Sequence, residues 1–282
     1  MFLSTAPAAP ARTGRLRPTQ VIVRHFEPDP QPYSGDPLLE EYLSDMTALY
    51  GRRFDRDRHA ASARVSYTEM ADRLVAELDV TGPVDLVVLA HATSDADPRR
   101  VTACYLNELL PGDPLAFAVS DQGPIAPFTA LRLLGSYAGD FPGCRALLLI
   151  MEQTTMPYEI IGARYPVPAH DIGVAMLLEP AGTDGIAVEQ YPDVADPGER
   201  LHDLVPPDAA LITGPGLETG SPVRDLGAAG VWAEFARRRA VTSGPIAVAD
   251  RDPVSGTLAL AVLPAADVVL RSIDVEIGEA GR

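Results

Sequence analysis

Lysine is missing from this chain, and all 23 basic residues are arginine. That excludes a Schiff base on a lysine amine and the phosphate-binding lysine of a P-loop. Cysteine is nearly missing too. Cys104 and Cys144 show neither CxxC nor Cys/His ligand spacing, so neither a zinc site nor a disulfide framework is signalled, and a reducing, cytoplasmic setting is expected. No run approaches the ~18 apolar residues of a membrane span. The opening MFLSTAPAAPARTGRLRPTQ has no continuous apolar stretch, so residues 1–18 are read as a disordered tail rather than a signal peptide. The glycine pattern GPGLETG, Gly214 to Gly220, is not GxGxxG and follows no convincing βαβ start. No cofactor and no metal are expected.

What is present is an ordinary globular composition in 282 residues, 46% hydrophobic and 22% charged, which suits one large α/β domain or two smaller ones. The net charge of −16 repels phosphate backbones and anionic lipid surfaces, so no nucleic-acid or membrane partner is expected.

Apolar spacing then divides the chain. QVIVRHF reads as a first strand, LLEEYLSDMTALYGRRF as a segment of helical spacing, and SYTEMADRLVAELDV as an amphipathic helix capped by Ser66 or Thr68. VDLVVLAHAT and RALLLIMEQ are continuous apolar strands of the kind buried on both faces. Between them RRVTACYLNELL reads as a helix, LAFAVS as a strand and APFTALRLLGSYAG as a helix. The pattern restarts at HDIGVAMLLEP and continues through GIAVEQY (a helix signal too weak to assign), AALITGP, GAAGVWAEFARRR, GPIAVAD and GTLALAVLP. This alternation predicts an α/β protein with mostly parallel sheets. A soft boundary is placed at Pro157 to Ala169, giving halves at 19–160 and 165–282; no repeat is visible by direct identity.

The order VDLVVLAHATSD, RRVTACYLNELL, LAFAVSDQGPIAPFTALRLLGSY, RALLLIMEQT and HDIGVAMLLEP resembles the thiolase-fold condensing enzymes, most closely the ketoacyl synthase III branch. The resemblance covers about Ser66 to Pro180, and the remainder by order of elements. It implies a layered fold of two βαβαβ-type halves and a cysteine nucleophile at the elbow before the central helix. Aligned there, Ala116 to Val119 match the family's "AFDV" and Gly123 stands where the cysteine belongs. Gly214-Pro215-Gly216 stands for the catalytic histidine's turn, and the family's asparagine has no counterpart, because Asn107 lies in the first half. Decarboxylative condensation needs a thiolate and two donors to the enolate oxygen. The resemblance therefore implies a pseudoenzyme paired with a cysteine-bearing ketosynthase homologue, or with itself, in polyketide or fatty-acyl metabolism. An acyl carrier protein would be met only indirectly, since carriers are acidic and this chain is too. The acyl substrate and the choice between homodimer and heterodimer are not fixed by these residues.

The alternative is an acyltransferase or hydrolase with relocated chemistry. Ser120 is its candidate nucleophile, activated by Asp121 or His91, and Glu152 and Gln153 with His91, Asp95 and Asp121 could line one crevice at the strand ends. The plainer readings are a turn or cap for Ser120-Asp121, a hydrogen-bonding group for His91, and interface contacts for Glu152 and Gln153. Cys104 is expected to face the core with Val101, Tyr105 and Leu109, as a small buried hydrophobe. His170-Asp171 reads as a turn and strand start, Trp232 as helix packing, and Arg237 to Arg239 as a favourable close to their helix.

Overall fold

The computed structural model describes residues 14–158, 167–182, 184–217, 223, 226–265 and 267–271. Strand β1 spans Leu16–Phe26, so Leu16 to Pro18, read from sequence as tail, already belong to a sheet. Helix α1 (Pro37–Leu49) begins where Asp36 accepts the Leu39 N–H and a proline takes the first helical position; α2 (Arg56–Ala61) is capped likewise by Asp55. Helix α3 (Tyr67–Glu77) is capped by Ser66, as expected, and buries Tyr67, Met70, Ala71 and Leu74. Its apolar side chains contribute roughly 1.5–3 kcal/mol each on leaving water.

Strand β2 (Leu86–Ala90), helix α4 (Thr102–Leu109) and strand β3 (Leu115–Val119) follow. A 3₁₀ turn at Gly123–Ile125 leads into helix α5 (Ala126–Asp140), and strands β4 (Ala146–Glu152) and β5 (Asp171–Pro180) complete the first sheet's main strands. The second sheet comprises β6 (Ala187–Tyr191), β7 (Ala210–Thr213), β8 (Ile246–Arg251) and β9 (Leu258–Leu263). Helix α6 (Pro197–Leu204) precedes β7, and a 3₁₀ turn at Gly227–Ala229 opens helix α7 (Gly230–Arg239). Strand β10 (Val269–Arg271) returns to the first sheet.

The first sheet runs β10-β1-β5-β4-β2-β3 and the second β6-β9-β8-β7. Strand β2 is parallel to β3 and β4, and β7 to β8; β5 runs antiparallel to β1 and β4, and β9 to β6 and β8. The expected boundary lies before β5, mostly in residues outside those described, yet β5 pairs within the first sheet. The chain changes sheet between Pro180 and Ala187.

Strand alternation sorts the core into layers. Leu86, Val88, Leu148 and Ile150 share one cluster with α5, α7 and the inner residues Ile246 and Val248 of β8. Val87, Leu89, Leu147 and Leu149 turn to the opposite face and pack on α3 and α4. Ala247 and Ala249 face α6 through Leu201. The order is helix, sheet, helix, sheet, helix, with α5 and α7 enclosed at the centre and Phe128 packed on Trp232 at 5.1 Å between ring centres. The expected α/β class and two-sheet layering are observed.

Two expectations are corrected. GIAVEQY contains a strand rather than a helix: Ala187–Tyr191 pairs with β9, and edge pairing decides a segment too short to show periodicity. Cys104 is exposed, because the short helix α4 buries only Thr102 and Leu106 and carries Cys104 to solvent with Val101 and Leu109.

Candidate functional site

The two enclosed helices start alike. Gly123 (φ +51°) follows Gln122 (φ −117°, ψ 15°), and Gly227 (φ +56°) follows Leu226 (φ −120°, ψ 15°). Each glycine opens a single 3₁₀ turn in the left-handed region, where a side chain is disfavoured. The two turns meet at the centre of the molecule.

Gly123 is half-buried, and a Cβ built on it would stand 3.3 Å from Asp252 Oδ1. Asp252 is itself fixed by the hairpin turn joining β8 to β9, where its carboxylate accepts the N–H groups of Val254 (3.2 Å) and Ser255 (2.8 Å). Asp250, two residues earlier, is buried. Its Oδ1 accepts the N–H of Gly216 (3.0 Å) and of Arg251 (2.8 Å), while Oδ2 has no partner among the described residues. Burial, with Asp252 as a neighbouring negative charge, pushes the Asp250 carboxyl up to about 7. A Cβ on Gly214 would lie 1.9 Å from Asp250 Oδ2, and one on Gly216 would lie 1.9 Å from the Arg251 carbonyl oxygen. Glycine at 214 and 216 is what lets the end of β8 close on this loop.

Glu152, at the end of β4, is fully buried against Gly227, whose Cβ would approach it to 3.0 Å. Its carboxylate accepts the Ala92 N–H (2.8 Å) and the Thr93 hydroxyl (3.1 Å). Burial still prevails over these bonds and pushes its carboxyl up to about 7. Thr93 extends the network: its hydroxyl lies 2.7 Å from Tyr67 Oη and accepts the Gln153 N–H at 3.2 Å. Gln153 Nε2 donates to the Ser94 carbonyl at 2.5 Å. Asp95 accepts the N–H groups of Tyr67 and Asp97 and is pushed by burial to about 6.

His91 stands at the mouth of this network. Its Nδ1 lies 2.8 Å from the Thr93 carbonyl oxygen, its ring packs on Tyr67, and burial lowers its pKa, which favours the neutral imidazole with Nδ1 donating. Ser120 is half-buried, with Oγ 3.4 Å from Asp121 Oδ2 in an exposed pair, and Asp121 takes a positive φ of 60°. No Ser120–His91 hydrogen bond occurs. The fold thus gathers Glu152, Gln153, Asp95 and the His91 loop into one buried network and leaves Ser120-Asp121 at its rim.

The remaining candidates have structural placements. Asp171 starts β5 and accepts the Thr154 N–H and hydroxyl at 2.6 and 2.8 Å. Trp232 is fully buried. Asp250 and Asp252 carry most of the geometry around Gly123 and Gly214, and the only sequence signal for them was the acidic end of the strand IAVAD and the Asp252 that follows Arg251. Among the described residues no group of three or more His, Cys, Asp or Glu side chains is arranged to hold a metal ion. No helix of the described residues is long and apolar enough to cross a membrane.

Compared by sequence, the chain matches no protein-family model and no curated protein. Compared by structure, it is similar to condensing enzymes. The tetronic acid condensing enzyme AbyA1 superposes with a TM-score of 0.55 at 17% identity, covering 88% of this chain and 99% of that one. The 3-oxoacyl-(acyl carrier protein) synthase III FabH of Pseudomonas aeruginosa PAO1 gives 0.54 at 14%, covering 90% and 99%. The acyltransferase ChlB3 gives 0.56 at 15%, covering 89% and 99%. The fold is thiolase-like. The resemblance read in the sequence sets the nucleophile position at the first of the two elbows, Gly123, and the histidine's turn at Gly214 to Gly216. The two elbows carry Gly123, with Asp252 against it, and Gly227, with Glu152 against it, while Asp250 packs against Gly214.

Proposed function

We propose that this chain is a non-catalytic thiolase-fold subunit that pairs with a cysteine-bearing ketosynthase homologue, or with a second copy of itself, in polyketide or fatty-acyl metabolism. The observation that carries the reading is the occupation of the space beside Gly123 and Gly214. Asp252 stands against the first position and Asp250 against the second, so the places that the resemblance assigns to the nucleophile and the histidine have carboxylates beside them. A carboxylate beside an acyl thioester's developing oxyanion would destabilise it, the opposite of what condensation needs.

Pairing is supported by the edge of the first sheet. Among the described residues β3 pairs only with β2, and it exposes Leu115 on one face and Ala118 on the other. A cavity of about 340 Å³ lined by Leu115, Tyr137, Phe141 and Pro142 adjoins it. An apolar, unpaired edge strand invites a partner strand.

A relocated acyltransfer or hydrolysis is the second reading, favoured by Glu152 and Asp250, two buried carboxyls near neutrality of the kind that serve as acid or base. One experiment separates the two. The chain is incubated with acyl-CoA and malonyl-carrier substrates and followed by intact mass and product formation, alone and with a cysteine-bearing ketosynthase of the same cell. The subunit reading expects no adduct and no product alone, and altered product length or yield with the partner. An adduct on the isolated chain that Ser120→Ala abolishes would replace it.

A further inference from the structure

The three arginines that end α7 are not equivalent. Arg237 and Arg238 both pair with Glu234, at 2.6 and 2.7 Å. Arg239 is buried, at 7% exposure, and among the described residues no carboxylate lies within ion-pair distance of it. Its Nη1 donates to the carbonyls of Gly244 (2.8 Å) and Thr242 (3.3 Å), and its Nη2 to that of Pro264 (2.9 Å). Its Nε–H has no acceptor among the described residues.

A buried cation without a counter-charge is costly, and carbonyl dipoles together with the negative end of α7 offset only part of that cost. Burial lowers the pKa of the group, yet a guanidinium stays protonated at any physiological pH.

Beside Arg239 lies a cavity of about 530 Å³, lined also by Thr242, Ser243, Asp267, Val268 and Leu270. It sits at the far end of α7 from Gly227, about 15 Å along a ten-residue helix. It is therefore separate from the elbows described above.

We propose that this cavity binds an oxyanion, the carboxylate or phosphate of a small ligand, with Arg239 as its cation, the Thr242 and Ser243 hydroxyls as further donors, and Val268 and Leu270 covering an apolar body. Asp267 in the same wall selects for a single negative charge. A dianion is repelled by it, while a monoanion still gains from the guanidinium.

The test is a titration of the full chain, ¹⁵N-labelled on arginine, with hexanoate and with inorganic phosphate at constant ionic strength, following the arginine Nε–H signals. The Arg239 signal, assigned by its loss in Arg239→Lys, is expected to shift saturably. Saturation by hexanoate identifies a carboxylate with an apolar body as the ligand class, and saturation by phosphate alone, at about pH 5.5 where it is mainly the monoanion, identifies a singly charged phosphate group. Asp267 is exposed and Asp267→Asn leaves the fold intact, so this variant tests the site even if Arg239→Lys does not fold. Asp267→Asn is expected to tighten binding by about threefold to tenfold, the effect of removing one nearby like charge. Failure of both anions to give a saturable shift overturns the proposal, and so does an affinity that Asp267→Asn leaves unchanged.

Discussion

Asp250 Oδ2 occupies the place where a side chain on Gly214 would begin, 1.9 Å from the position of its Cβ. Such an overlap cannot be relieved by a rotamer change, because Asp250 Oδ1 is held by two backbone N–H groups. Gly214→Ala is expected to destabilise the chain by about 2 kcal/mol or more, the range of overpacking in a closed site. In an Asp250→Gly background the same change is expected to cost well under half as much. Urea melts of the four members of this double-mutant cycle measure the coupling. Additive effects would mean that the two residues do not share the space.

At Gly123 the neighbouring carboxylate is farther away, at 3.3 Å from the Cβ position, so a cysteine fits with a small adjustment. Its backbone φ of +51° adds about 1–2 kcal/mol of strain for a non-glycine residue. Gly123→Cys is therefore expected to fold but not to form an acyl thioester, because the Asp252 charge disfavours the thiolate. Rates of alkylation against pH provide the check: the new thiol should titrate above the ordinary ~8.5 of a free cysteine, and Asp252→Asn should bring it down. A thiol at 123 that titrates below 7 and accepts an acyl group would end the subunit reading, since one substitution would then restore the chemistry.

Asp250 also makes stability depend on pH in a definite direction. Its carboxyl, near 3.8 when free, is held at about 7 in the folded chain, so between these values the folded state binds the extra proton. Stability contributed by this group is accordingly full below about pH 4 and is lost as the pH rises through 7. Asp250→Asn keeps an oxygen for the Gly216 and Arg251 N–H groups and removes the buried charge. It is expected to raise stability at pH 8 by on the order of 2–4 kcal/mol and to have little effect at pH 4. Chemical denaturation at the two pH values decides the matter, and a variant less stable at pH 8 would show that the charge is compensated.

Much of this fold could be read in the sequence because its central strands are enclosed on both faces. Strands β2 and β4 and most of β5 are wholly buried, so LVVLA, ALLLIME and DIGVAMLLEP appear as continuous runs that admit few other readings. β6 was illegible for the opposite reason: only one of its five residues is buried, and pairing with β9 makes it a strand. The elbow at Gly123 was legible from the change of period around it. Its neighbour Asp252 was not, since contact across 129 positions leaves no local trace. The likeness of the two elbows lies in their backbone angles, and in the sequence it leaves only the short Asp-x-Gly pattern of Asp121-Gln122-Gly123 and Asp225-Leu226-Gly227.

The two cysteines separate the faces of the first sheet and give a direct check of the layering. Cys104 is exposed on α4, whereas Cys144 is buried before β4 and its thiol is pushed up to about 11, chiefly by burial. Native protein is expected to release one equivalent of chromophore with a disulfide reagent within minutes, and the second only after denaturation. Loss of the fast equivalent in Cys104→Ser confirms the assignment. Two fast equivalents would place Cys144 at the surface.

Pairing through the sheet edge predicts a particular asymmetry between association and stability. Ala118 is exposed on β3, so Ala118→Lys adds a charge to an edge that bears no load in the isolated chain. Lysine on an edge strand blocks strand addition by forcing a charge into the new interface. Melting of the isolated, monomeric chain should therefore change by no more than about 0.5 kcal/mol. Sedimentation equilibrium, run with the chain alone and with a cysteine-bearing ketosynthase, should show a loss of tenfold or more in association, roughly 1.4 kcal/mol of interface energy. Association untouched by the lysine would move the contact away from β3. The proposed subunit would then need another surface, because the opposite edge of this sheet is the three-residue strand β10, too short to template a long partner strand.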